Sequence, residues 1–208
     1  MSQELTSLLV SQLKTLKLEL PQSQIEKLIE YLNLLIKWNK AYNLTSVRDP
    51  QEMVSRHLID SLSILPYVDG KRIIDVGSGP GLPGIPLAIC RPDVDVTTLD
   101  SNGKKTRFQI QAKTALGLDN LTVINERVEK YQVEPFDQVV SRAFASLQDM
   151  LHWTAHLCKN DGIFIAMKGL YPEDELKAMP AGFELKACHS LVVPGTDGER
   201  HLLAIGRS

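Results

Sequence analysis

Asp75, Gly77, Gly79 and Gly81 alternate directly after the apolar run Arg72-Ile73-Ile74, and Gly79, Gly81 and Gly84 form a Gly-x-Gly-x-x-Gly pattern. Glycines at this spacing let a backbone take positive-φ turns and approach a bound molecule that a Cβ would hold away. Between a strand and a helix start, such a loop reads as a nucleotide-cofactor site. Two cofactors compete for it. A dinucleotide sets its pyrophosphate on the helix N-terminus, which favours anions. S-adenosylmethionine has no phosphate, and its sulfonium and amino groups are cationic, so an acid at the end of the first strand suits it. Asp75 stands there, and the order Asp-x-Gly-x-Gly-x-Gly favours the methyl donor. A second β-rich run over 94–99 ends at Asp100, close to the distance at which a carboxylate meets ribose hydroxyls. Pro83 or Pro86 suits the first turn of the helix that follows.

Other polar groups invite two readings each. Arg56, His57 and Asp60 share a helix side by spacing. The plain reading is a capped turn with a surface ion pair between Arg56 and Asp60, and the functional reading is a polar rim facing the cofactor mouth. Lys104, Lys105, Arg107 and Lys113 lie on a helix over about 102–116, where a charge run is usually a solvated face. His152 and His156 stand four apart, a spacing that can bind metal, yet no third ligand is near, so no metal is expected. Cys90, Cys158 and Cys188 are far apart without Cys-x-x-Cys spacing, and read as buried thiols.

Elements must position these groups. At 208 residues with 43% hydrophobic residues, the chain can build one well-cored domain plus a small extension. Residues 1–66 read as an N-terminal helical cap. Leu5, Leu8, Leu9, Leu13 and Leu16 mark its first helix, and Ile25, Leu28, Ile29, Leu32, Leu35 and Ile36 its second. A third starts at Asp49-Pro50-Gln51-Glu52, with Asp49 as N-cap and Glu52 reaching back.

Residues 67–208 alternate strand and helix. Strands are expected to end at Val76 and Asp100 and to run over 121–124, 136–140 and 162–169, with a helix over 147–158 and a short one near 172–179. Late strands over 183–193 and 201–205 are joined by a hairpin loop at 194–198. The pattern predicts an α/β fold, a mainly parallel sheet with a closing antiparallel hairpin. Ligands bind such sheets at the carboxyl ends of the strands, where Asp75, Asp100, Glu129, Arg142 and Lys168 all fall. No apolar run is long enough to span a membrane and the polar N-terminus is unlike a secretory signal, so the expected location is the cytoplasm. The formal net charge of −2 means that any nucleic-acid contact comes from a local patch.

The loop DVGSGPGLPGIPLA, the segments YNLT and RHLIDS before it, and the segments SRAFAS and MKG after it resemble the glucose-inhibited division protein B family over about residues 25–207. The resemblance implies a class I methyltransferase fold with a seven-stranded Rossmann-like sheet, S-adenosyl-L-methionine as donor, and N7 of a guanine in a decoding-region hairpin of 16S rRNA as acceptor, in the small ribosomal subunit. It further implies cofactor contacts at Gly77, Leu82, Val128, Glu129 and Arg142. Physically, Leu82 offers an apolar surface, Val128 and Glu129 meet adenine, and Arg142 offers a planar donor fork to a methionine carboxylate or an RNA phosphate. Glu129 and Arg142 also fit plain surface ion pairs.

The acceptor chemistry agrees. Carbon-5 methylation of a pyrimidine needs a cysteine nucleophile, and exocyclic-amine methylation often uses an Asp/Asn-Pro-Pro-aromatic segment after strand four. Here that segment is Ser141-Arg142-Ala143-Phe144. Guanine N7 carries no proton, so alignment suffices and no acid or base is assigned. Arg142, Lys168 and His57 remain as groups that position RNA, and Phe144 as either a stacking face or a core side chain. The alternatives are a dinucleotide-dependent oxidoreductase and a non-catalytic ribosome-assembly factor. A monomer is expected.

Overall fold

The computed structural model describes residues 2–208. Two amphipathic helices open the chain, α1 (Ser2–Thr15) and α2 (Gln22–Tyr42). Leu5, Leu9 and Leu13 on α1 and Ile25, Leu28, Ile29, Leu32 and Leu35 on α2 are all buried, as their spacing requires. The next helix starts as α3 (Pro50–Met53), widens into a π-helical turn over Val54–Ile59, and closes as α4 (Asp60–Leu62). Asp49 caps it, its Oδ1 accepting from Gln51 N at 2.8 Å and Glu52 N at 2.9 Å. Glu52 does not complete the reciprocal cap: its carboxylate lies 3.9 Å from Arg56 instead.

The rest alternates as expected: β1 (Arg72–Val76), α5 (Gly84–Cys90), β2 (Asp95–Asp100), α6 (Gly103–Leu116), β3 (Leu121–Asn125) and β4 (Phe136–Ser141). Then come α7 (Leu147–Thr154), β5 (Cys158–Lys168), α8 (Glu173–Lys177), β6 (Phe183–Ser190) and β7 (His201–Arg207). The helix expected over 147–158 is α-helical to Thr154 and continues as a 3-10 turn over Ala155–Leu157, ending there because Cys158 pairs with Phe136 as the first residue of β5. The sheet order is β3-β2-β1-β4-β5-β7-β6; β1 to β5 run parallel and β7 runs antiparallel to both neighbours.

The N-terminal helices and the sheet share one apolar core, in which Leu9, Leu32 and Leu58 join Ile73, Ile85 and Ile165. The linker between them is tied to β4, where Gln138 Oε1 accepts from Asp69 N and Gly70 N, and Asp137 Oδ2 from Lys71 N and Arg72 N. Burial pushes the Cys90 and Cys158 thiols up to about 12, so neither presents a thiolate. Among the described residues no helix is long and apolar enough to cross a membrane.

One polar contact joins α2 to the glycine loop. The Tyr31 ring is fully buried against Phe108 of α6, and its hydroxyl donates to Pro80 O at 2.9 Å. Tyr31→Phe keeps the packing and leaves that carbonyl without its donor, so the urea midpoint is expected to fall by an amount worth about 1–3 kcal/mol. An unchanged midpoint would show that the loop does not depend on this bond.

Candidate cofactor site

Backbone bonds and side chains from four directions fix the loop after β1. Gly77 N donates to Leu99 O at 2.8 Å, and Gly79 N to Asp100 Oδ2 at 2.7 Å. Gly84 N donates to Asp75 Oδ2 at 2.8 Å. Gln109 of α6 donates from Nε2 to Ser78 Oγ at 2.9 Å and to Gly79 O at 2.7 Å. Gly77 sits at φ +72°, and a Cβ there would lie 2.6 Å from that of Ala143. The bare backbone is therefore the only surface that fits between β1 and the segment after β4.

Beside this loop lies a cavity of about 520 Å³ at the carboxyl ends of β1 to β4, a size suited to a small-molecule ligand. Val76, Leu99, Val128, Ala143 and Phe144 give it an apolar wall. Asp100, Glu126 and Glu129 face Lys105 and Arg127 around it, so its ionised groups sum to a net negative charge. Asp100 Oδ1 also accepts from Asn102 N at 2.8 Å, which orients the carboxylate while lone pairs remain for a ligand. Glu129 lies 3.7 Å from Arg127, an exposed pairing of little energetic weight.

Asp75 does not itself line the cavity; its neighbours Val76 and Gly77 do. Its carboxylate is 1% exposed, and Oδ1 has no hydrogen-bond partner. Burial pushes its pKa up to about 7, against the opposing pull of the Gly84 amide and of Arg142. A cationic ligand group nearby would favour the ionised form and offset that burial.

The remaining expected residues are distributed differently. Leu82 is 1% exposed and belongs to the apolar core, so its side chain is no ligand surface in this arrangement. His57 is 6% exposed, too deep to touch RNA, with Nε2 2.9 Å from Thr45 Oγ1. Burial and the Arg142 charge hold its pKa down at about 4, so the ring is neutral. The expected Arg56–Asp60 surface pair is absent: Asp60 is buried and accepts from Arg142 Nη1 at 2.8 Å and Arg200 Nε at 3.1 Å. Lys168 is an internal tie rather than a free cation. Its ammonium donates to Phe144 O and Ala145 O and pairs with Glu175 at 2.9 Å, which holds the segment carrying Phe144. Phe144 lines the cavity. His156 Nε2 meets Tyr131 O at 3.1 Å, and His152 meets Trp153 edge-on.

Ser101, Lys105, Glu126 and Arg127 line the cavity without having been singled out. Three of them follow a strand end directly, the signal that would have found them. Lys105 read as solvated helix surface because its approach to Gly79 is made in space and not in sequence.

A family model described as rRNA small subunit methyltransferase G matches residues 24–203. The Ribosomal RNA small subunit methyltransferase G of Ectopseudomonas mendocina is 60% identical over 198 residues, covering 94% of this chain and 92% of its own length. That of Pseudomonas syringae pv. syringae is 58% identical over 196 residues, with 94% and 92% covered. The solved ribosomal protein L11 methylase from Lactobacillus delbrueckii subsp. bulgaricus superposes with TM-score 0.55 at 19% identity, covering 72% of this chain and 77% of that one. M. jannaschii TYW2 in complex with AdoMet gives TM-score 0.55 at 16% identity, with 73% and 76% covered. At that identity the likeness is one of fold, the class I methyltransferase fold.

Asp75 supplies a test of the site's electrostatics. An unfolded chain ionises this group near pH 4 and the folded chain near pH 7, so the folded state loses stability as pH rises between them. Asp75→Asn removes the buried charge and is expected to stabilise the ligand-free protein by about 1–3 kcal/mol at pH 8, with the gain fading towards pH 5. Urea titrations at the two pH values decide it. A gain that does not depend on pH would contradict the assigned burial.

Proposed function

The chain belongs to the rRNA small subunit methyltransferase G family and is an S-adenosylmethionine-dependent rRNA methyltransferase, and we propose that its acceptor is N7 of a guanine in 16S rRNA. The observation that carries the choice of atom is the segment after β4, Ser141-Arg142-Ala143-Phe144, which supplies neither a cysteine nucleophile nor the polar proline-rich segment of amine methylation. Cys90 and Cys158 are buried thiols, Cys188, expected to be buried, is half-buried on β6 and does not line the cavity, and His57 is a neutral ring away from solvent. What the cavity rim offers instead is shape and charge.

The residues present fit the donor. Asp75 Oδ1 is a buried acceptor without a partner, and the space beside Gly77 is one that a Cβ would fill. When bound, S-adenosylmethionine supplies an electrophilic methyl on a sulfonium. Asp100, oriented by the Gly79 and Asn102 amides, would accept from the ribose hydroxyls. Val128 and Glu129 would meet the adenine beside the apolar wall. The bare Gly77 backbone would leave room for the methionine portion, and Arg142, which precedes the cavity-lining Ala143, would offer its carboxylate guanidinium donors. Guanine N7 presents an in-plane lone pair with no proton to remove, so the protein's contribution is alignment and exclusion of water. We infer that the enzyme acts in the cytoplasm on the small subunit or its RNA, as a monomer and without a metal ion, because methyl transfer to a ring lone pair needs no Lewis acid.

The test is transfer of labelled methyl from S-adenosylmethionine to small ribosomal subunits and to naked 16S rRNA, with the modified nucleoside identified by mass spectrometry. 7-Methylguanosine is the expected product. A different methylated nucleoside would overturn the atom assignment, and bound cofactor without transfer to either RNA would favour an assembly factor.

A further inference from the structure

Asp60 joins two arginines that adjoin different strands of the sheet, β4 and β7, which flank β5. Its Oδ2 takes Arg142 Nη1 at 2.8 Å, beyond β4, and its Oδ1 takes Arg200 Nε at 3.1 Å, just before β7. One carboxylate cannot neutralise two guanidinium groups, and His57 beside them is uncharged, so the cluster keeps a net positive charge. The two guanidinium side chains remain 25% and 29% exposed, while the carboxylate between them is 9% exposed. The acid is at the base and the cations are at the surface.

Arg200 is held firmly in place although it ends a long connection. Gly195, at φ +77°, seats that connection on the N-terminal helices so closely that a Cβ would strike Ser55 Oγ and lie 2.6 Å from Gln12 Nε2. Val193 is buried in the core, and Leu191 N donates to Arg200 O at 2.7 Å. The register Lys168↔His201 then puts Arg200 at the carboxyl edge of the parallel strands, the edge that carries the cofactor cavity. Arg200 does not line that cavity. Its Nη1 takes Glu199 O at 2.8 Å, and no bond from Nη2 is made among the described residues. Tyr171 is 48% exposed with its ring 5.7 Å from that of His201, the residue after Arg200, and Leu170 is 75% exposed. An unpaired guanidinium edge at the surface of a positively charged cluster is suited to a phosphate oxygen of a nucleic-acid backbone.

We propose that Arg200 is an RNA-phosphate contact at the rim of the site and that Asp60 is a positioning residue that holds it beside Arg142. The inference rests on RNA being the substrate. Asp60 thereby links the arginine that precedes the cavity-lining Ala143 with the arginine that meets the RNA. The occupant is polyanionic RNA backbone rather than the cofactor, because neither Arg200 nor its chain neighbours line the cavity, whereas Ala143 and Phe144, which follow Arg142, do.

The test uses full-length protein with 16S rRNA or small subunits, whichever the wild type methylates, and S-adenosylmethionine. Arg200→Gln is expected to raise the KM for RNA about five- to tenfold. It should lower the slope of log affinity against log salt by about one and leave kcat and the cofactor Kd unchanged. Arg200→Lys, which keeps the charge and loses the fork, restores the salt slope. Asp60→Asn frees both arginines and weakens RNA and cofactor together, and circular dichroism and thermal melts verify that it folds. An RNA KM and salt slope unmoved by Arg200→Gln would overturn the proposal, as would a loss of cofactor affinity as large as the loss for RNA. Wild-type methyl transfer in the same assay separates either result from failure of the functional reading.

Discussion

A single backbone loop with no room for a side chain at Gly77, Gly81 or Gly84 sets the terms for the rest of this molecule. Between β1 and α5 the chain has to turn out of the sheet, pass within contact of Ala143 and leave a wall against which a ligand can lie. Glycine permits that path and does nothing to stabilise it, since its unfolded state is more conformationally free than that of any other residue. Stabilisation comes from elsewhere: Tyr31 on Pro80 O, Asp75 on Gly84 N, Asp100 on Gly79 N and Gln109 on Ser78 Oγ and Gly79 O. Each contact comes from a different element, so α2, β1, β2 and α6 must all be in place before the loop has one conformation. This accounts for the N-terminal helices sharing the core of the sheet. Without α2 the loop loses the donor over Pro80 and the aromatic packing of Tyr31 and Trp38 on Phe108.

The buried charges answer a related requirement. Asp75 and Asp60 are both largely withdrawn from water, yet their surroundings differ. Asp60 has two guanidinium partners and accepts from both oxygens. Asp75 has one amide, an unpartnered oxygen and a pKa pushed up to about 7. A fully paired acid holds protein groups in position, whereas a half-paired one is destabilising until a further partner arrives. The contrast separates the two halves of the site. The cofactor side carries an unsatisfied negative group suited to a cation, and the outer rim carries an excess of positive charge suited to a polyanion.

What could be read in the sequence was local and periodic. The strand ends at Val76 and Asp100, the cap at Asp49, and the apolar stripes of α1 and α2 all follow from neighbours within a few residues, and the structure has them. The placement of Asp100 and Glu129 at the cavity also followed from strand ends, and that of Val128 from the family resemblance, whereas Asp75, Arg142 and Lys168 share the strand-end position without lining it. The readings that failed concern polar side chains whose partners are far off in sequence. Lys168 looked like a free cation because Glu175 and the carbonyls of Phe144 and Ala145 meet it only after β5 and β4 pair. Leu82 sat in a ligand loop by sequence, yet its side chain turns inward to the core. Arg200 carried no local signal at all, since its place depends on how a connection between two late strands packs on the first helices.

The Arg56–Asp60 reading failed for a more specific reason, and that reason explains the seat of the rim. A regular α-helix from Pro50 to Leu62 would set Arg56 and Asp60 on one face as an i,i+4 pair. Over Val54–Ile59 the chain takes the wider π-helical turn, in which the Asp60 amide reaches Ser55 O. Such turns are uncommon because their hydrogen bonds pack less well, and they recur where a side chain has to be redirected. Here the redirection turns Asp60 inward to Arg142 and Arg200 and leaves Arg56 outside with Glu52. The same turn presents Ser55 to Gln12 and to Gly195, where the connection carrying Arg200 comes to rest. One irregular turn therefore fixes both the anchor for the two arginines and the seat of the segment that delivers one of them. Burial of Val54, Leu58 and Ile59 in the core compensates for its weaker backbone bonding.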